Sequence, residues 1–307
     1  MAKTWKAPQR GEPKQSGTSK QPQEAAETLL PGLYVVATPI GNARDVTLRA
    51  LDVLDGVDLI AAEDTRVTSK LLTIFGISRP LTAYNDHNGP QERPRLLAKL
   101  RHGARIALVS DAGTPLVSDP GYKLVREALA EGLPVQAIPG ASAPLTALAL
   151  AGLPTDRFLF TGFLPPKPAE RRTAIAGLKS LRASLIFFEA PQRLAETLAD
   201  LAAVLGPRPA AVTRELTKLH EEVRRGSLAE LAAAYAEEGQ PKGEITLVVG
   251  PAAEEATDFT AIDAALHQAL AFMPVRAAAD LISDLLKAPR REVYQRALEL
   301  KNDGKPG

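Results

Sequence analysis

From Leu33 onward, short apolar runs alternate with stretches in which apolar residues recur every three or four positions. The runs at 33–37, 57–61, 81–84, 105–109 and 134–138 predict strands. The amphipathic stretches predict helices over 45–54, 67–75, 91–101, 120–131 and 141–151. Such alternation predicts an α/β domain whose largely parallel sheet is covered on both faces. Gly152–Asp156 breaks the pattern, and a second series follows. Its strands are expected at 158–161, 184–189, 209–213 and 244–249, and its helices at 169–180, 191–204 and 227–236. Strands and helices alternate less regularly here, which predicts an α+β domain with a mixed sheet. The segment Glu221–Ser227 reads as an extended piece ending in a helix N-cap at Ser227. After Pro251 an acidic linker leads to three helices near 261–270, 274–286 and 290–300. They have the look of a helix-turn-helix, which reads equally as a structural cap or as a nucleic-acid contact through its basic turn. The expected organisation is a tail over 1–31, domains over 32–153 and 154–252, and a helical module over 257–307.

Composition narrows the chemistry. Among 307 residues there is no cysteine, which excludes disulfides, thiolate metal sites and a thiol nucleophile. The four histidines are scattered, with no His-x-x-x-His pair, so no metal centre is expected. No apolar run reaches membrane-spanning length, and a cytoplasmic protein without a membrane partner is expected. Residues 1–31, rich in Lys, Gln, Pro, Ser and Gly, predict a disordered tail. The net charge of +1 says little, but Lys167, Arg171, Arg172, Lys179 and Arg182 concentrate positive charge against Glu170 alone.

The chemistry-bearing residues gather at predicted strand ends, where open α/β sheets bind ligands. Thr38-Pro39-Ile40-Gly41-Asn42 follows the first strand, and Glu63-Asp64-Thr65-Arg66 the second. In the latter, Asp64 or Thr65 is either part of a functional charge trio or a cap for the next helix. Tyr84–Asn88 follows the third strand and offers His87 as a general-base candidate. Ser110–Gly121 crowds two glycines, two prolines, two aspartates and three hydroxyls into one turn, with Asp119 readable as a helix N-cap. Ile138–Ala143 opens an Ala/Leu-rich helix whose first amides could hold a carboxylate or phosphate.

Together these segments closely resemble the tetrapyrrole-methylase superfamily, the class III S-adenosylmethionine-dependent methyltransferases. Within it they resemble the branch that methylates a cytidine ribose 2′-hydroxyl in 16S rRNA. The resemblance runs from about Leu33 to Val249 and includes Gly162–Pro165, Phe187–Pro191 with Arg193, Arg214–Lys218 and Lys242–Glu244. Thr38–Asn42 departs from the Gly-x-Gly-Pro-Gly of porphyrin and corrin methylases, which points away from a tetrapyrrole substrate. Ala141 and Gln192 stand where the rRNA branch often carries proline and histidine.

The resemblance implies a two-domain fold with the active site in the interdomain cleft, plus a small C-terminal helical module. It implies S-adenosyl-L-methionine as cofactor, no metal, 16S rRNA or the small ribosomal subunit as partner, and a homodimer. Mapped onto this chain, cofactor contacts fall at Pro39, at Asp111, Ala112, Gly113, Thr114, Pro115 and Leu116, and at Pro139, Gly140, Ala141 and Ser142. Further contacts fall at Phe163, Glu189, Ala190 and Leu216, with Glu244, Ile245 and Thr246 as a weaker group. Candidate bases for the ribose hydroxyl are Glu63, Asp64, Asp86 and His87, without a ranking. Arg66 and Lys167 join this catalytic set, either as phosphate clamps or, for Lys167, as a field acting on the hydroxyl. Arg171, Arg172, Arg193, Arg290 and Arg291 are expected to contact RNA.

Overall fold

The apolar run after Pro31 forms β1 (Gly32–Val36), every residue of which is buried. A computed structural model describes residues 29–117, 121–252 and 259–303. The chain continues through α1 (Leu48–Gly56), β2 (Leu59–Ala62), α2 (Thr65–Ile74), β3 (Leu81–Ala83), α3 (Gly89–Arg101), β4 (Arg105–Val109), α4 (Tyr122–Ala130), β5 (Val135–Ile138) and α5 (Ala143–Ala151). It divides into two compact units, the first holding the described residues up to Leu150 together with Thr213–Glu222.

In the first unit five strands pair in the order β3-β2-β4-β1-β5, all in parallel. Alternation along these strands supplies both faces. Tyr34, Val36, Ile60, Ala62, Ala107 and Val109 pack against Val53 and Leu54 of α1 and Leu72 of α2. Leu33, Ala61, Ile106 and Leu108 face Leu96, Leu97 and Leu100 of α3 and Leu124 of α4. Burial of both faces is what makes these strands near-continuous apolar runs. Helix α1 starts later than its periodicity suggests. Residues Ala43–Asp45 form a 3-10 turn, and the Thr47 hydroxyl caps the helix by accepting from Ala50 N–H.

The second unit holds β6 (Phe158–Phe163), α6 (Pro168–Ala176), β7 (Ser184–Glu189), α7 (Leu194–Leu205), most of β8 (Pro209–Arg214) and of β9 (Glu222–Ser227), α8 (Leu228–Glu238) and β10 (Ile245–Val249). Its sheet order is β6-β7-β10-β8-β9, with β6 parallel and β10 antiparallel to β7, so it is mixed as expected. The extended piece before Ser227 is a strand at the sheet edge, and Ser227 forms a capping box with Glu230. Phe187, Leu247 and Val212 bury one face of the sheet beneath Ile175, Leu198 and Leu231 of the helices.

Helices α9 (Phe259–Leu270), α10 (Val275–Leu286) and α11 (Arg290–Asp303) share a small core of Ile262, Leu266, Ala278, Ile282, Val293 and Ala297. Lys287 turns the chain from α10 to α11 in the left-handed conformation, at φ +53°. The expected N-cap at Asp119, most of the expected tail, and the centre of the acidic linker lie outside the described residues. Helix α4 begins after Gly121, at φ +127° and without a side-chain cap.

Candidate functional site

In the first unit the carboxyl ends of β1, β4 and β5 lead into loops that are stitched to one another. Thr38 and Gly113 exchange backbone hydrogen bonds of 2.9 and 3.0 Å, forming a small antiparallel bridge across otherwise parallel strands. The buried Thr38 hydroxyl donates to Ser110 O at 3.2 Å, and the Thr114 hydroxyl donates to Ala141 O at 3.2 Å. Gly113 adopts φ +79°, and a Cβ there would come 3.2 Å from Ile40 Cγ2. Gly140 has no room either, since its Cβ would stand 2.9 Å from that of Ala37. The glycines are therefore required by the closeness of the loops. Leu116, at φ +75°, holds a strained left-handed conformation in the same loop.

The end of β2 joins this group through acids. Asp64 N–H donates to Asp111 Oδ1 at 3.0 Å, and Asp111 N–H donates to Glu63 Oε2 at 3.3 Å. Asp64 itself is committed elsewhere. Its carboxylate caps α2 by accepting from Arg66 N–H at 2.8 Å and takes a forked salt bridge from the Arg66 guanidinium, as close as 2.6 Å. The guanidinium first, then the cap, hold the Asp64 carboxyl at about 2, far below its ordinary value. Of the two roles read for Asp64, the helix cap is the one its contacts serve here. Arg66 is exposed, but Asp64 offsets its charge.

Asp111 moves the other way. Desolvation raises its carboxyl, aided by the Asp64 charge and opposed by the Asp64 amide and Arg66. At the end of β3, Asn85 and Asn88 build the turn. Asn88 Oδ1 accepts from Asn85 N–H at 2.8 Å, and Asn85 Oδ1 accepts from His87 N–H at 3.1 Å. Asp86 and His87 project from its exposed tip, while Asn85 Nδ2 donates to Glu63 O at 3.4 Å.

The segment Thr213–Glu222 completes the first unit. Leu216 is buried between Glu215 at φ +51° and Thr217 at φ +65°. The Thr217 hydroxyl accepts from Asn42 N–H at 3.0 Å, and Thr217 N–H donates to Glu221 at 2.7 Å. A left-handed β-branched residue is uncommon, and no local pattern announced this one.

In the second unit several expected contacts prove internal. Arg171, expected on RNA, is 2% exposed and binds Asp200 at 2.6 Å. Arg172 keeps an exposed side chain but also binds Asp200 at 2.6 Å. Burial raises the Asp200 carboxyl, yet the hydrogen bonds from Arg172 and Arg171 outweigh it and hold the group low. Arg193, also expected on RNA, donates to Leu164 O at 2.9 Å and Pro165 O at 3.0 Å. Glu189 is buried, with one oxygen accepting from Ala190 N–H at 2.8 Å and the other from the Thr197 hydroxyl at 2.6 Å. Its carboxylate is thus engaged within the fold. Ala190 is half-buried beside it, and Glu244 is exposed. The Ile245 side chain belongs to the hydrophobic core, and Thr246 is buried next to it. Phe163 is exposed at the end of β6, and Lys167 is exposed before α6 with Glu170 at 3.0 Å. Asp200 and Thr197 were missed because their partners Arg171 and Glu189 stand 29 and 8 residues away.

In the C-terminal helices Arg290 and Arg291 are both exposed, and Arg290 is bound to Asp280 at 2.5 Å. Among the described residues no group of three or more His, Asp or Glu could hold a metal, and no helix is long and apolar enough to cross a membrane.

Residues 32–232 match the Tetrapyrrole (Corrin/Porphyrin) Methylases family, and residues 256–301 match the RsmI C-terminal HTH domain. A protein of Mesorhizobium japonicum named ribosomal RNA small subunit methyltransferase I is 50% identical, covering 94% of this chain and 98% of its own. Its namesake in Escherichia coli O157:H7 is 47% identical over 87% of this chain and 94% of its own. A crystal structure of uroporphyrin-III-C-methyltransferase from Thermus thermophilus shares the fold, with a TM-score of 0.53, 24% identity, and coverage of 72% of this chain and 94% of its own. A uroporphyrin-III C-methyltransferase from the same organism was solved with S-adenyl homocysteine; at a TM-score of 0.50 and 18% identity it covers 71% of this chain and 97% of its own. The chain belongs to the tetrapyrrole methylase family and, within it, to the ribosomal RNA small subunit methyltransferase I proteins.

Proposed function

We propose that this chain uses S-adenosylmethionine to methylate the ribose 2′-hydroxyl of a cytidine in 16S rRNA of the small ribosomal subunit. The observation that carries the reading is the set of loops tied together through Thr38, Gly113, Thr114 and Ala141 at the strand ends, in a chain of this family. Their chemistry suits the cofactor. Asp111–Leu116 and Pro139–Ser142 offer small, acidic and hydroxyl side chains without a Lys or Arg to repel a sulfonium. Pro139–Ser142 also leads into the N-terminus of α5, where a carboxylate is favoured. When bound, the cofactor supplies a methyl group on a positively charged sulfur.

The chain's own task is alignment and removal of a proton. Fixed loops hold the reacting groups in one orientation, which can supply much of the acceleration. Glu63 is the carboxylate we assign to the hydroxyl proton, since the Asp111 amide at 3.3 Å ties its side chain to the cofactor loop. Lys167 and, in the C-terminal helices, Arg291 are the cations offered to RNA phosphates. The protein acts in the cytoplasm and as a homodimer, a state that light scattering checks directly.

The test is incubation with methyl-labelled S-adenosylmethionine and either small subunits or free 16S rRNA, followed by mapping of the modified nucleotide. Transfer to one cytidine ribose is expected. Transfer to a porphyrinoid and to no RNA overturns the reading. Glu63→Gln should lower turnover by about a hundredfold or more while S-adenosylhomocysteine binding persists.

A further inference from the structure

The segment Leu164-Pro165-Pro166 contains two residues without a backbone N–H, so it cannot be held by a strand ladder and its carbonyls need other donors. Guanidinium groups supply them. One terminal nitrogen of Arg193 donates to Leu164 O at 2.9 Å and to Pro165 O at 3.0 Å. Arg171 reaches Pro166 O at 3.4 Å. Three consecutive carbonyls are thereby gripped by two arginines.

Each arginine is itself anchored. Arg193 Nε faces Glu189 Oε1 at 3.4 Å, an ion pair without a hydrogen bond, and Glu189 is fixed by Thr197 and the Ala190 amide. Arg171 binds Asp200 at 2.6 Å and reaches Glu196 at 3.4 Å. The Glu189 side chain is 0% exposed and that of Asp200 7%. Buried ion pairs contribute little net stability, so specifying a single conformation is the stronger account of their presence. The gripped segment stands between Phe163 and Lys167, both exposed.

We propose that Arg193 and Arg171 are positioning residues, which clamp the Leu164–Pro166 carbonyls and so present Phe163 and Lys167 for methyl transfer. The clamp rests on the reading given above for what those two side chains serve, but its mechanical part stands apart from it. Arginine is needed because one planar group carries both the terminal nitrogen that reaches the two carbonyls and the Nε that faces Glu189, whereas a lysine ammonium is a single point of donation and cannot be at both places.

The experiment compares Arg193→Lys, Arg193→Gln and Lys167→Ala in the full chain. Hydrogen exchange of the peptide covering 158–167 reads the loop, and calorimetry with S-adenosylhomocysteine together with subunit methylation reads its consequence. Both Arg193 variants should exchange about tenfold faster at Phe163, Leu164 and Lys167, with β7 unchanged, because a charged hydrogen-bond pair is lost. Both should raise the KM for the subunit or weaken S-adenosylhomocysteine binding by about tenfold, a loss suited to a small misplacement. Combining Arg193→Gln with Lys167→Ala should multiply less than the separate effects on that KM. Unchanged exchange overturns the clamp. So does near wild-type behaviour of Arg193→Lys beside a damaged Arg193→Gln, which would mark a direct phosphate contact. If the Arg193 variants do not fold, Thr197→Val loosens the Glu189 anchor and must give the same exchange pattern. If the wild type methylates no RNA, the functional reading fails, while exchange and calorimetry still decide the clamp.

Discussion

Replacing Gly41 by alanine tests how closely Thr213–Glu222 is seated in the first unit. A Cβ at this position would stand 2.9 Å from the Leu216 carbonyl oxygen, 2.9 Å from Thr217 Oγ1 and 2.5 Å from Lys218 Cγ. The lysine methylene can swing aside. The carbonyl can retreat only with the peptide between Leu216 and Thr217, and Thr217 already sits at φ +65°. Overpacking of this kind costs about 1–3 kcal/mol. Retreat also stretches the 3.0 Å bond from Asn42 N–H to Thr217, worth about 1 kcal/mol. The expected loss is about 2–4 kcal/mol in total. Urea unfolding followed by circular dichroism measures it, with S-adenosylhomocysteine calorimetry alongside. Gly177→Ala is the internal comparison. That glycine is helical at φ −62° and its Cβ would meet only Ala174 O at 3.4 Å, so a gain of about 0.4–1 kcal/mol is expected. A Gly41→Ala protein within about 0.5 kcal/mol of wild type would refute the reasoning.

Asp200→Ala should destabilise the second unit by about 3–5 kcal/mol in thermal unfolding, because Arg171 is left buried without its carboxylate; replacing Arg171 and Asp200 together by Met and Leu should recover most of the loss. Asp64 and Asp111 predict opposite pH trends in a carboxyl NMR titration. Asp64, depressed to about 2, contributes stability that is present above the ordinary carboxylate pKa and lost as pH falls through about 2. Asp111 is raised, so its contribution is full below the ordinary pKa and lost as pH rises through the folded value; Asp111→Asn should abolish that trend. Arg291→Ala should lower the slope of log Kd for rRNA against log salt by about one, whereas Arg290→Ala, whose charge Asp280 already offsets, should change it less.

The sheet of the first unit was legible because its strands are buried on both faces and therefore apolar throughout, as at Ile106–Val109. The start of α1 was not, since periodicity does not reveal that the Thr47 hydroxyl takes the capping place. Within the site, the small residues and acids of 110–115 and 63–66 stood out by type, but type alone could not divide their labour. Asp64 and Glu63 are neighbours with the same chemistry, and the Arg66 contact and the helix cap set Asp64 apart. The arginines misled for a related reason. Arg171 and Arg172 look alike in a basic cluster, yet helix phase turns the first inward to Asp200 and leaves the second exposed. A partner 29 residues distant leaves no trace in local spacing.

The assignment of Thr213–Glu222 to the first unit, although β8 and β9 on either side belong to the second unit's sheet, bears on how the molecule can be cut. A fragment ending near Leu150 carries the five parallel strands but not the peptide that fills the niche over Gly41 and receives the Asn42 amide. Genetic dissection at the apparent boundary would thus deliver a half with a missing wall. Complementation by a second polypeptide bearing 213–222 is the way to restore it. The two compact units are woven from one continuous thread, so neither corresponds to a single uninterrupted stretch of sequence.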